Sequence, residues 1–250
     1  MPTLLALTLA TAHAGQAMLE IDTRPGASLA ALEMTAPGAV PNVVIYMVGG
    51  SGQRPLRGLD FDDLPTDPDT LFAAQRQLAN QVGAVVAIDT ATDHPVLEMS
   101  DRQGAAHQQD IHAVIAAMRQ RHPGARMVLM GSSNGAYSAA VLGLKLAPEV
   151  DAVILVNGSA DAWAAAAHLK QPVLGLQHRR DACLPFRDSY PRARFFSLIE
   201  VDDARFPPVG QSTPRDCSAQ SAHAMHGRRA SVYRAIGDWI ISGKVSQKIE

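Results

Sequence analysis

The sequence has no long apolar run, no excess of positive charge and only two cysteines. Lys and Arg number 22 against 24 Asp and Glu, which gives a net charge of -2. The sequence lacks the basic stripe that nucleic-acid-binding proteins carry. No segment approaches the ~18 apolar residues that a membrane-spanning helix needs. We therefore expect neither a nucleic-acid partner nor a membrane span.

Motifs for phosphate and metal sites are also missing. The glycine-rich stretch 49–52 is not followed by Gly-Lys-Ser/Thr and is not part of a G-x-G-x-x-G pattern, so a phosphate-binding loop is disfavoured. His107 and His112 are five residues apart and have no cysteine or carboxylate ligand set beside them, so we interpret them as structural. We expect no cofactor and no metal.

Length and composition favour one domain. With 250 residues, 47% hydrophobic and 18% charged, the chain is long enough for one large α/β domain and too short for two comfortable ones. Residues 4–12 are apolar and precede Ala12-His13-Ala14, which matches a secretory cleavage pattern. We predict a signal peptide over 1–14, a single domain over 15–250, and a periplasmic or secreted protein. Because no Lys or Arg precedes the apolar stretch, a wrongly placed start codon and an ordinary N-terminal strand stay open as alternatives.

Apolar runs of strand length alternate with segments of helical period, which predicts an α/β fold with a mostly parallel central sheet and helices on both faces. An opening hairpin is predicted over Met18–Thr23 and Ser28–Met34. Buried strands are predicted at Asn42–Val48, Ala84–Ile88, Met127–Met130, Ala152–Val156, Pro172–Leu176 and Arg194–Ile199, with helices near 71–82, 111–118, 136–144, 160–169 and 232–240. The acid-rich segment 53–69 has no clear period and is interpreted as a surface loop.

The pattern Gly131-x-Ser133-x-Gly135 joins a predicted strand to an alanine-rich helix. Such a pattern is typical of a sharp strand-to-helix turn that holds the central serine in a strained conformation, with small neighbours because other backbone passes close by. Ser133 is therefore the candidate nucleophile. An ordinary glycine-serine turn is the alternative.

A serine nucleophile needs a histidine to take its proton and a carboxylate to orient that histidine. With the chain order Ser, acid, His, only His223 and His226 follow a suitable acid and precede the last helix. We favour His226, since it stands beside Gly227 just before the helix, and keep His223 as the alternative.

Asp181 follows the carboxyl end of the strand at 172–176 and is the favoured acid, with Asp161 as the alternative. Its neighbours His178, Arg179 and Arg180 face either solvent or an anionic substrate group.

Acyl transfer also needs backbone N–H donors aimed at the developing oxyanion. Asn134 supplies one by its position after the nucleophile and at a helix start. The glycine loop after Val48 is expected to supply the second, which we assign by position to Ser51, with Gly50 as the alternative.

These landmarks resemble the α/β-hydrolase superfamily over nearly the whole mature length, and look most like exported bacterial α/β hydrolases of undefined substrate. The resemblance implies a triad of Ser133, Asp181 and His226, and oxyanion donors at Ser51 and Asn134. One departure is Gly49, where many relatives carry histidine, so the donor in that loop is left open. The segments that carry the resemblance are Thr23–Gly26, Gly49–Gly52, Gly131–Gly135, His178–Cys183, Cys217, His226-Gly227 and Trp239-Ile240.

Cys183 and Cys217 lie shortly after the candidate acid and shortly before the candidate base. In an exported protein they can pair and tie the two loops together, whereas two free buried thiols are the alternative.

We therefore expect a serine hydrolase that cleaves a carboxylic ester or related small-molecule acyl compound through an acyl-enzyme. A peptidase or acyltransferase would use the same triad, and a binding protein that has lost turnover would keep the fold. Only about fifteen residues separate the strands at 152–156 and 172–176, which leaves room for one short helix and a minimal lid or none. An open pocket disfavours long-chain lipid substrates.

Overall fold

The computed structural model describes residues 7–13, 15–67, 69–184, 196–209, 217–245 and 247–250. Ten strands of the described residues form one sheet in the order β1-β2-β3-β5-β4-β6-β7-β8-β9-β10. The strands are β1 (Leu7–His13), β2 (Gln16–Arg24), β3 (Ala27–Thr35), β4 (Asn42–Met47), β5 (Gly83–Ala91), β6 (Arg126–Ser132), β7 (Ala152–Val156), β8 (Val173–His178), β9 (Phe196–Val201) and β10 (Lys248–Ile249).

Six α-helices lie between or after the strands. They are α1 (Leu71–Val82), α2 (Met99–Arg102), α3 (Ala105–Arg121), α4 (Asn134–Lys145), α5 (Ala160–Ala166) and α6 (Arg229–Ser242). No helix of the described residues is both long and apolar enough to cross a membrane.

The sheet begins antiparallel and continues parallel. β1, β2 and β3 form an antiparallel meander, and β3 pairs antiparallel with β5. From β5 through β4, β6, β7, β8 and β9 every pairing is parallel. The predicted hairpin and mostly parallel sheet are thus confirmed.

Helices cover both faces of the sheet, because alternate residues of the buried strands point to opposite sides. Val43 and Ile45 of β4 join a core that α3, α4 and α5 cover, whereas Val44 and Tyr46 join a second core under α1 and α6. The carboxyl ends of β4, β6, β7 and β8 meet at one edge, which is where open α/β sheets bind ligands.

Most predicted elements recur with bounds shifted by a few residues. The last predicted strand, Arg194–Ile199, is observed as β9, and its residues 194 and 195 lie outside the described part. The short helix α2 and the strand β10 were not predicted, and β1 corresponds to the N-terminal strand that was left open as an alternative to a signal peptide.

Residues 7–13 of the predicted signal peptide form β1, which pairs with β2. Export and cleavage after residue 14 stay predictions. Between β7 and β8 the chain has only α5 as a helix, as expected for a protein with little or no lid at this position.

Candidate active site

Ser133 stands on a strained turn between β6 and α4. Its φ of 54° and ψ of -124° lie outside the regions that non-glycine residues ordinarily occupy. A Cβ at Gly131 would lie 2.0 Å from the carbonyl oxygen of Gly135, and a Cβ at Gly135 would lie 2.2 Å from that of Met47. Both glycines are therefore required by close backbone approach, as the pattern predicted.

This turn opens into a cavity of about 590 Å³. The cavity is lined on one side by the turn itself, on another by the loop after β4, and on a third by the segment that precedes α6. Its lining includes Tyr46, Val48, Gly49, Gly50, Leu71, Ser132, Ser133, Asn134, Val156, Cys183, Leu184, Cys217, Ser218, Ala219, His223, Ala224, Met225, Arg229 and Tyr233. Ser133 and His223 thus share one cavity.

Asp181 is hydrogen-bonded to His223. The distance from His223 Nδ1 to Asp181 Oδ2 is 2.7 Å, and both side chains are buried. The other oxygen, Asp181 Oδ1, accepts the backbone N–H groups of Cys183 and Leu184, each at 2.9 Å. Asp181 therefore presents one oxygen to the histidine while the backbone of its own loop holds the other. Asp161, the alternative acid, is exposed at the start of α5.

The prediction that Asp181 pairs with His226 is wrong. His226 Nδ1 lies 2.6 Å from Asp69 Oδ2, and the N–H of Gly227 donates to the same oxygen. The reason is local. A 3₁₀ turn over Ala222–Ala224 ends at Met225, which has a left-handed φ of 54°, so His223 faces the cavity and His226 turns away to a half-exposed position.

Two buried side chains hold the backbone around His223. Asn157, directly after β7, donates from Nδ2 to the carbonyl of His223 at 2.6 Å and accepts the N–H of His178 at 2.8 Å. It is fully buried and has a φ of 46°. Arg229 donates to the carbonyls of Ala224, Ala219 and Asp69. Sequence reasoning singled out neither residue.

Ser133 Oγ and His223 make no hydrogen bond in this structure. Catalytic hydrogen bonds are often long without substrate and tighten in the complex. The arrangement is therefore one of a serine and a histidine at the same cavity, with the histidine already oriented by its carboxylate.

The residues predicted as oxyanion donors lie at the turn and in the glycine loop. Asn134 is the first residue of α4, where its backbone N–H has no intrahelical acceptor. Gly49 lies directly against the serine, because a Cβ at this glycine would be 2.6 Å from Ser133 Cβ. Gly49 and Gly50 line the cavity.

Ser51 is not among the residues that line the cavity. Its carbonyl accepts the N–H of Leu97 and its hydroxyl donates to Gln53. The geometry therefore favours Gly50, the alternative named from the sequence, over Ser51.

Comparison with solved structures identifies the architecture. An α/β serine hydrolase without a lid from Xanthomonas campestris superposes with a TM-score of 0.54 at 20% identity, over 75% of this chain and 84% of that one. Est1E from Butyrivibrio proteoclasticus gives 0.61 at 13% identity, over 90% and 97%. The esterase domain of a Rhodothermus marinus protein gives 0.60 at 12% identity, over 89% and 96%. The chain has the α/β-hydrolase fold. No protein-family model matches the sequence, and no curated protein matches it.

Within this α/β-hydrolase fold, Cys183 and Cys217 form a disulfide with their Cα atoms 5.1 Å apart. The predicted pairing is confirmed. The disulfide joins the Asp181 loop to the segment that begins at Cys217, which precedes both His223 and His226. Asp181, Cys183 and His223 place ligand atoms within 4.8 Å of one another, a grouping that can suit a metal. Because the sulfur is tied in the disulfide, it is not available as the thiolate that a metal would bind.

His178, at the end of β8, and the following Arg179 and Arg180 do not line the cavity. His178 is fully buried, and this burial lowers the pKa of its imidazole. Arg179 pairs with Glu200, and Arg180 pairs with Asp202 at 2.6 Å. Arg179 thus contacts a carboxylate of β9, and Arg180 contacts a carboxylate directly after β9. These contacts do not support a role of either arginine in binding an anionic substrate.

The floor of the cavity contains two tyrosines that the sequence did not indicate. Tyr46 Oη lies 2.7 Å from Ser132 Oγ. Tyr233 of α6 is buried, which raises the pKa of its phenol well above the ordinary value. Since Tyr46 occupies one position of a uniformly apolar strand, its polar group gave no signal beyond ordinary β-propensity. Ser132 is engaged by this contact.

Proposed function

We propose that the chain is a serine hydrolase that cleaves a carboxylic ester or related acyl compound through an acyl-enzyme. The observation that carries the proposal is the buried Asp181–His223 hydrogen bond at the cavity into which the strained turn presents Ser133. A strained serine, an oriented imidazole and unpaired backbone donors are the parts that acyl transfer needs. The solved esterases and serine hydrolases of the same fold support the reaction class.

In this mechanism Ser133 Oγ attacks the substrate carbonyl carbon while His223 takes the hydroxyl proton. Asp181 holds the imidazole and stabilises its positive charge. The tetrahedral oxyanion accepts the N–H groups of Asn134 and Gly50, each worth roughly 3 to 4 kcal/mol of barrier. His223 then protonates the leaving alcohol, which leaves an ester on Ser133. Water then attacks the acyl carbon while the same imidazole takes its proton. The imidazolium returns that proton to Ser133 Oγ as the acid leaves, which restores the enzyme.

Cavity size and the short β7–β8 connection favour a small acyl substrate. The volume of about 590 Å³ falls within the range of small-molecule sites. A peptidase or an acyltransferase would use the same groups. The product formed from a defined ester in water or with an added alcohol distinguishes hydrolysis from acyl transfer, and cleavage of a matched peptide amide tests for a peptidase.

We also propose that the protein works in the periplasm or outside the cell. The support is the Cys183–Cys217 disulfide, since such bridges form and persist in oxidising compartments. The apolar segment with a cleavage pattern before residue 15 agrees with this assignment.

The test is labelling with a fluorophosphonate probe and mapping of the modified residue by mass spectrometry, alongside hydrolysis of small activated esters. The label is expected on Ser133, and Ser133→Ala is expected to abolish both labelling and turnover. Ser132→Ala is the matched control, because Ser132 contacts Tyr46 and should be dispensable for the chemistry. Retained turnover in Ser133→Ala, or a label on another serine, would remove the proposed function.

A further inference from the structure

Arg102 is a fully buried arginine behind the glycine loop. Its side chain runs from the end of α2 and leaves only 1% of the residue exposed. Nη2 donates to the carbonyl of Gly50 at 2.8 Å, and Nη1 donates to Ser138 Oγ at 3.0 Å. Ser138 belongs to α4, the helix that starts directly after Ser133. One guanidinium therefore joins the glycine loop to the nucleophile's helix.

The glycine loop is a four-residue turn closed by a 3.0 Å hydrogen bond from Gly52 N–H to the Gly49 carbonyl. Its second residue, Gly50, has a φ of 59°, and its third residue, Ser51, does not have a positive φ, which together fit a type II′ turn. The central peptide of this turn carries the Gly50 carbonyl. Glycine suits the second position because it adopts a positive φ without strain.

Two side-chain donors from outside the turn hold that carbonyl. Arg102 donates to the Gly50 carbonyl, and Asn134 Nδ2 donates to the same oxygen at 3.2 Å. The peptide before Gly50 is held by the Gly49 carbonyl, which shares a plane with the Gly50 N–H. Both peptides that flank the Cα of Gly50 are thus fixed, and its N–H is aimed.

We propose that Arg102 is a positioning residue that holds the Gly50 N–H and the Asn134 N–H in register as one oxyanion site. The proposal rests on the proposed serine hydrolase function. Arg102 does not line the cavity and acts through the loop.

The cost of burying this group argues against a packing role alone. A buried cation is unfavourable unless it is well paired, and an unbranched apolar side chain would fill the same space. Burial lowers the pKa of Arg102 to about 10, so the group stays charged at neutral pH. Its planar fork holds two donors in a fixed geometry on two acceptors, whereas the donors of a lysine ammonium are not fixed in a plane.

The test compares Arg102→Met and Arg102→Lys with the control Leu142→Ala. Leu142 is fully buried in α4, the helix that carries Ser138, so its truncation destabilises the protein, and it does not line the cavity. Arg102→Met is expected to lower kcat about 10- to 100-fold, the range of a donor displaced by about 1 Å, with KM changed less than about threefold. Arg102→Lys is expected to fall between Arg102→Met and the wild type. Leu142→Ala should lower Tm while kcat stays within about twofold.

A lower Tm in Arg102→Met with kcat unchanged would overturn the proposal. Should Arg102→Met fail to fold, the kcat of Arg102→Lys decides in the same way. Amide hydrogen exchange across residues 49–52 is the readout that does not depend on catalysis. Faster exchange in the arginine variants than in Leu142→Ala supports the proposal, whereas equal exchange overturns it. If the wild type hydrolyses no ester, the proposed function is wrong. The comparison of amide hydrogen exchange then tests by itself whether Arg102 holds the loop.

Discussion

Asp181 and His223 are 42 positions apart in sequence, yet their side chains meet at 2.7 Å in a buried hydrogen bond beside the disulfide of Cys183. The strand β8 delivers the acid and the segment before α6 delivers the histidine. The geometry of the Asp181–His223 hydrogen bond therefore depends on the contacts that hold both loops.

The first prediction concerns the choice between two histidines. His223→Ala is expected to lower kcat/KM for an activated ester by several orders of magnitude, because the proton acceptor is lost. His226→Ala should cost less than about tenfold, since this side chain pairs with Asp69 away from the cavity. Steady-state kinetics of the two purified variants makes the comparison. The opposite ranking would return the role of base to His226.

The choice between these histidines shows where sequence reasoning stops. Only two residues lie between them, and both histidines precede the last helix, so position alone favours neither. The deciding features are the left-handed Met225 and the partner Asp69, which is 157 positions before His226 in the chain. The strands, by contrast, follow from apolar runs such as Asn42–Met47, because burial on both faces leaves a continuous hydrophobic signal.

The glycine loop shows the same limit. Its place after β4 was predictable, but which N–H faces the nucleophile depends on the geometry of a turn whose central carbonyl accepts hydrogen bonds from Arg102 and Asn134. The burial of Arg102 could not be foreseen, because arginine is mostly exposed and α2 is too short to give a period.

Asn157 offers a second prediction. Asn157→Gly keeps a residue that tolerates the positive φ of 46° but removes the hydrogen bonds to the His223 carbonyl and the His178 N–H. We expect kcat to fall about 10-fold or more while KM changes little, since the imidazole loses its support. Asn157→Ala adds backbone strain and should lower Tm further than Asn157→Gly. Equal kcat in Asn157→Gly and wild type would show that the hydrogen bonds do not position His223.

The disulfide gives a third prediction. Its cysteines are 34 positions apart, and closing such a loop is worth roughly 3 to 4 kcal/mol in the chain-entropy model. The double variant Cys183→Ser/Cys217→Ser is expected to have a lower Tm and a lower turnover, because the N–H of residue 183 also holds Asp181. A reductant should lower the Tm of the wild type toward that of the double variant and leave the double variant unchanged. Two titratable thiols in unreduced protein from an oxidising compartment would refute the bridge.

A fourth prediction concerns acid stability. Burial and the neighbouring Arg102 lower the pKa of His107 from 6.5 to about 4, against weaker opposing effects of Asp110 and Asp101. Between these values the unfolded chain binds the proton and the folded one does not, so the free energy of unfolding falls as the pH falls from about 6.5 to 4. The full shift corresponds to about 3 kcal/mol.

Chemical denaturation at pH 7 and at pH 4.5 measures this effect. His107→Gln should lose less stability between the two pH values than the wild type does. His112→Gln, which removes an exposed histidine of the same helix, is the control. An identical loss in His107→Gln and wild type would contradict the assignment.

The two backbone donors on Asp181 Oδ1 have a consequence for the protons of the imidazole. In Asp181→Asn the amide oxygen would be drawn to the N–H groups of Cys183 and Leu184, which leaves the NH₂ group facing His223 Nδ1. That nitrogen would then have to accept, so the ring proton would move to Nε2, and Nε2 could no longer take a proton from Ser133. We expect Asp181→Asn to be folded yet nearly inactive, with the ¹⁵N shifts of His223 reporting the other tautomer. The carboxylate of Asp181 thus keeps the ring proton on Nδ1 and leaves Nε2 basic. The N–H groups of Cys183 and Leu184 determine which Asp181 oxygen faces the imidazole.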